Sequence, residues 1–227
     1  RQTRNLIQTA EDKLRIKVDD KSKAADRWDL LGTRGGMKTA GVGGQITGMG
    51  AHLFIIDDVL KNAEEASSAT VRENQWEWWQ RTASTRMQPI TQGGRRVQDP
   101  GLLLILTRWH EDDLAGRFLL EDRQRGADGL DPLWEVINLP AFAEENDPLG
   151  RVPGVALCPE IFNENALAAQ RETMGATGFA ALYQQRPQPE GGGAFKRDTF
   201  QYWTKTDDEG FTYRLEYQRE GTLLAPQ

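Results

Sequence analysis

Apolar positions along the chain change their period several times, and each change marks an element. Leu14-Arg-Ile-Lys-Val18 alternates apolar and polar residues, the pattern of a half-buried strand. Trp28-Asp-Leu-Leu31 offers a second short strand. Glycine then recurs at 32, 35, 36, 41, 43, 44, 48 and 50, a density that excludes a helix and predicts tight turns. Leu53-Phe-Ile-Ile56 is continuous rather than alternating, as in a strand buried on both faces of a parallel sheet.

From Ala63 to Met87 the period becomes helical. Trp76, Trp79 and Ala83 share one face, Val71 and Trp78 another, and Pro89, Gly93 and Gly94 end the run. Leu102–Leu106 is a second continuous strand, and a helix at about 111–125 follows it, closed by Gly126. Strand, helix, strand, helix with uniformly apolar strands predicts an α/β fold with a parallel sheet. Trp134–Leu139 reads as a third sheet strand, and 141–160, rich in proline and glycine, as an irregular connection. A helix is expected over Glu164–Met174 with Asn163 as its cap, and another over Phe179–Gln185. Pro187, Pro189 and Gly191–Gly193 form a linker, and the aromatic residues of 195–217 suggest short strands of an appended sheet.

Composition narrows the class. The 227 residues carry 28 Lys and Arg against 34 Asp and Glu, and 38% hydrophobic content with seven Trp supports a packed core. No apolar run approaches the ~20 residues of a membrane span. Cys158 is the single cysteine, which excludes an intrachain disulfide; with no neighbouring base it reads as an inert buried thiol. Residues 1–50 hold ten basic against six acidic side chains, a basic front on an acidic body that permits a polyanion contact without establishing one.

Asp57 and Asp58 carry the strongest chemical signal. Two carboxylates at the carboxyl end of a buried parallel strand stand where open α/β sheets bind ligands, although an exposed turn gives the same pattern. In phosphate-handling folds the first acid holds Mg²⁺ and the second orients or deprotonates the attacking water. Thr107 ends the next apolar strand 49 residues after Asp58, and Arg108 beside it could touch phosphate or relay its state. For Glu111, Asp112 and Asp113 we prefer the start of a helix, where acids complement the dipole, over a metal site with His110. Gly32-Thr-Arg-Gly-Gly-Met37-Lys38-Thr39 approaches a phosphate loop, but Met37 replaces a required glycine and glycines follow where a helix must begin, so it is rejected.

Taken in order, these segments resemble the large terminase subunit of tailed bacteriophages and prophages. Gly35–Ala51 precedes Leu53-Phe-Ile-Ile-Asp-Asp58, similar to a Walker B region. Leu104-Ile-Leu-Thr107-Arg-Trp-His is similar to the coupling motif. Phe179-Ala-Ala-Leu-Tyr-Gln-Gln-Arg-Pro187 with Glu190-Gly-Gly-Gly193 resembles the passage from motor to nuclease. The resemblance implies a partial P-loop NTPase of the additional-strand type, lacking its phosphate-loop strand. Residues 1–186 would be motor, 187–194 linker, and 195–227 the β-rich start of a region leading to a nuclease that is missing here. It implies Mg²⁺ and ATP, with Asp57 on the metal, Asp58 as water-activating acid and Thr107 coupling hydrolysis to movement. Double-stranded DNA, the portal protein and procapsid, the small terminase subunit and a homo-oligomeric ring are the implied partners, in the host cytoplasm and without a membrane. The fragment alone is expected to be inactive. Met49 stands where relatives carry an arginine, leaving Arg34 as the stand-in for an arginine finger.

Two other classes remain open at this point. A Mg²⁺-dependent nuclease would gather Asp57, Asp58, Asp112 and Asp113 around its metals. A non-catalytic DNA-binding module would plug the Asp57/Asp58 end with side chains.

Overall fold

A computed structural model describes residues 2–46, 48–188, 202–205, 213–216, 218–219 and 222–223. The chain divides into two units, Arg1–Val59 with Glu73–Ile105 and Leu60–Arg72 with Leu106–Gln227.

The first unit opens with α1 (Gln2–Thr9) and α2 (Glu11–Leu14). The alternating run at Leu14 is therefore not a strand at its start. Arg15 turns left-handed (φ 54°) and donates its N–H to the Glu11 carbonyl at 2.8 Å, so the extended chain begins only at Val18. From there β1 (Val18–Lys23), β2 (Arg27–Leu30) and β3 (Gly36–Lys38) make an antiparallel sheet, with Val18 and Trp28 buried.

Its second sheet holds the predicted parallel pair, β4 (Leu53–Asp57) and β7 (Gly101–Ile105). Phe54 aligns with Leu102, Ile56 with Leu104 and Asp57 with Ile105. The expectation of burial on both faces is corrected. Phe54 and Ile56 face inward, Phe54 lying 6.4 Å from the ring of Trp78, whereas Leu53 is 58% and Leu103 45% exposed. In a two-stranded ladder only one face has a covering layer among the described residues, so a continuous apolar run ends up half in water.

The predicted long helix forms in pieces. α3 (Ala63–Ser67) starts at Asn62, whose side chain accepts from the Glu65 N–H at 2.9 Å. Ser68 is extended (ψ 108°), and its hydroxyl accepts from the Val71 N–H at the head of α4 (Ala69–Trp78). A π-helical turn (Trp79–Ala83) and a 3₁₀ turn (Ser84–Arg86) finish the run. The hairpin β5 (Ile90–Gln92) and β6 (Arg95–Gln98) then returns the chain to β7.

In the second unit α5 (Leu114–Ala127) begins three residues later than the sequence suggests, because Asp113 caps it. It ends at Asp128, ahead of left-handed Gly129, with Gly126 still inside the helix. Trp134–Leu139 forms no strand, a second correction. Asp122 on α5 takes the Leu133 and Trp134 amides at 2.7 and 3.2 Å, and Trp134 packs 4.6 Å from Phe118. Beyond it Ile137 is 77% exposed and pairs with no strand among the described residues. α6 (Glu164–Leu182) is capped by Asn163 and kinked at Gly175 (φ 79°, ψ 163°), so the first expected helix is present, whereas the second starts earlier and ends at Leu182 rather than Gln185. Ala141, Ala156, Leu167 and Phe179 form the core here, with Phe142, Met174 and Tyr183 packed on it. Cys158 is exposed rather than buried, its Sγ 3.5 Å from Glu160 Oε2.

Farther on, β8 (Tyr202–Lys205) pairs with β9 (Tyr213–Glu216), and β10 (Gln218–Arg219) with β11 (Thr222–Leu223), so short strands do occur in the aromatic segment. The expected linker lies outside the described residues from Pro189 onward. No described helix is long and apolar enough to cross a membrane.

Candidate functional site

Asp57 closes β4, and the next residue breaks the strand. Asp58 adopts a left-handed backbone (φ 46°) and donates its N–H to the Ile105 carbonyl at 2.9 Å. Aspartate tolerates this region better than most residues, so the ladder gains one more bond while the chain turns out of the sheet. Val59 follows, its carbonyl accepting from Gln75 Nε2 at 2.9 Å. Gln75 is 5% exposed, a buried polar anchor that sequence reasoning missed. Its signal is spacing: Gln75 lies four residues after Val71 and three before Trp78, on the face that those two share.

Both aspartates are exposed, and neither carboxylate is held by a cation among the described residues. That sets them apart from Asp112, Asp113 and Asp147, each of which is paired with arginine.

Thr107 and Arg108 belong to the second unit, whose boundary falls after Ile105. Thr107 is half-buried. Arg108 is held on two sides. Its Nε lies 2.8 and 3.0 Å from the carboxylate oxygens of Asp113, and its N–H donates to Gln185 Oε1 at 3.2 Å. Asp113 is fully buried and also accepts from the Gly116 N–H at 2.8 Å, capping α5. A side chain at Gly116 would collide with the Glu111 carbonyl at 1.8 Å, so the loop folds back tightly on the first helical turn.

Asp112 sits between Arg117 and Arg72, at 2.8 and 3.1 Å. Hydrogen bonds from Arg117, seconded by Arg72, hold its carboxyl below the usual aspartate range. His110 Nδ1 accepts the Asp112 N–H at 3.0 Å. Of the acidic trio only Asp113 serves the helix start, as its cap; none of the three lies in the first helical turn, and Asp112 and Asp113 are engaged by arginines. No group of three or more His, Cys, Asp and Glu side chains among the described residues is placed to hold a metal. The arginines on Asp112 and Asp113 leave those two acids less suited to the metal-holding role that the four-acid nuclease arrangement gave them.

Gly32–Thr39 is the turn and edge of the β2–β3 hairpin, with Lys38 in a strand and no helix start at Thr39. Arg34 is exposed.

The family described as "Terminase large subunit, T4likevirus-type, N-terminal" matches residues 1–202. No curated protein matches the chain.

Proposed function

The chain belongs to the T4likevirus-type large terminase subunit family, whose role is in DNA packaging, and we propose that it forms part of an ATP-driven motor moving double-stranded viral DNA into a procapsid. One observation carries the reading. An acid pair free of arginine, Asp57 and Asp58, ends a parallel strand whose ladder partner stops two residues before Thr107 in the sequence.

The donor set suits Mg²⁺. This ion takes one or two carboxylates and fills its remaining positions with water and phosphate oxygens, so a full protein cage is not required. Asp57 would hold it, and the ion would neutralise charge on the nucleotide phosphates. Asp58 would orient the attacking water and accept its proton, a role that needs a carboxylate free of arginine. Thr107 would couple hydrolysis to movement. Arg108, with its guanidinium on Asp113, fits a relay of the nucleotide state better than a direct phosphate contact. In this reading residues 1–186 are motor, 187–194 linker and 195–227 the approach to a nuclease. The motor would work in the host cytoplasm as a homo-oligomeric ring with the portal protein and the small terminase subunit.

The test is ATP hydrolysis by the complete gene product in the presence of DNA. Asp58→Asn is expected to lower turnover by about 100-fold or more while nucleotide binding persists. Unchanged turnover removes Asp58 from the role.

A further inference from the structure

Gln185 lies in the turn that closes α6, in a left-handed conformation (φ 57°) that an amino acid with a side chain adopts at a cost. Glycine or asparagine would occupy that turn more easily, but glycine has no side chain and that of asparagine is shorter. Here the side chain spans two elements. Its Oε1 accepts the Arg108 N–H at 3.2 Å, and its Nε2 donates to the Leu182 carbonyl at 2.8 Å. The residue after Thr107 is therefore gripped through its main chain by Gln185 and through its guanidinium by Asp113.

Gln184 binds elsewhere. Its Oε1 accepts the Phe142 N–H at 2.8 Å, and its Nε2 donates to the Phe142 carbonyl and to Glu144 Oε1. Of these two adjacent glutamines, one pins the connection at 142–144 and the other reaches the segment that holds Thr107.

We propose that Gln185 is a positioning residue for Thr107: through the Arg108 amide it ties the backbone at the coupling threonine to the carboxyl end of α6, so that hydrolysis and movement of that helix end stay in step. The proposal rests on the motor reading. It needs no contact between Gln185 and nucleotide. The Arg108 amide transmits the position of α6 to its covalent neighbour.

The experiment uses the complete protein with ATP and double-stranded DNA, comparing wild type with Gln185→Gly, Gln185→Glu and Gln184→Ala. Glycine suits the left-handed turn and removes only the side chain, and glutamate keeps an acceptor for the Arg108 N–H while losing the donor that meets the Leu182 carbonyl. In Gln185→Gly, hydrogen exchange at the Arg108 amide is expected to quicken about tenfold or more. KM for ATP should stay within about twofold while kcat, or the length of DNA moved per ATP, falls several-fold. Gln185→Glu should restore part of both signals, because one of the two bonds survives, and Gln184→Ala should leave both unchanged. Unaltered Arg108 exchange, unaltered coupling, failure of the glutamate rescue, or an equal coupling loss in Gln184→Ala each overturns the proposal alone. A wild-type protein that turns over no ATP overturns the motor reading and this inference with it.

Discussion

The Asp58 N–H donates to the Ile105 carbonyl at 2.9 Å, so the parallel ladder extends one residue past β4 while the Asp58 backbone turns left-handed. The acid pair is thereby presented by a left-handed residue that ends the strand and begins the turn. Asp58→Asn and Asp58→Gly should fold with stability within about 0.5 kcal/mol of wild type, because both tolerate positive φ. Asp58→Val should lose about 1–2 kcal/mol, since a β-branched side chain clashes there. Chemical denaturation measures the difference. Equal stability of all three variants would mean that the left-handed turn is not maintained in solution.

Asp113 performs two tasks at once, capping α5 and neutralising Arg108. Asp113→Ala removes a cap and leaves a largely buried guanidinium unpaired, so a loss of about 3 kcal/mol is expected. Asp113→Asn keeps an acceptor for the Gly116 N–H and should lose less. Thermal unfolding of the two variants, side by side, separates capping from charge pairing.

Gly116 tests the tightness of the same turn. A Cβ there would stand 1.8 Å from the Glu111 carbonyl, a backbone atom with no rotamer to yield. Gly116→Ala should cost about 3 kcal/mol or more. Gly126→Ala, in the same helix with open space around it, should be neutral or slightly stabilising by helix propensity.

Acid should weaken the second unit through Asp112. Its carboxyl is held below the ordinary aspartate value of 3.8, chiefly by Arg117 and then by Arg72. A depressed folded-state pKa means that the stabilisation is present above the unfolded value and disappears as pH falls through the folded value. Asp112 is partly exposed, so the effect is discounted toward a surface pair, at most about 1 kcal/mol. In urea titrations, wild type should exceed Asp112→Asn at pH 7, and the gap should close on acidification below 3.8. A gap independent of pH would assign the loss to packing instead.

Gly175 kinks α6 with φ 79° and ψ 163°, a region nearly reserved for glycine. Gly175→Ala should destabilise by about 1–3 kcal/mol, although nothing lies within 4 Å of the added methyl. Circular dichroism against temperature reads this directly.

By itself the sequence determined the features that depend on neighbours in the chain. Glycine density kept helices out of 32–50, Asn163 began a helix, and two uniformly apolar runs became parallel strands, Leu53–Asp57 and Gly101–Ile105. The order of the motifs was enough to point to the large terminase family, which the match over residues 1–202 bears out. Local pattern also located Asp57 and Asp58 at a strand end. What it could not decide was which partners each segment would find. Val136 and Ile137 have the composition of a strand but meet no edge among the described residues, because a ladder needs a second chain segment at hydrogen-bonding distance. Leu53 and Leu103 are as apolar as their neighbours yet face water, since burial depends on a covering layer. Likewise Arg108 finds Asp113 beside it in sequence, but its grip by Gln185 spans 77 residues, and only the folded chain brings those two together.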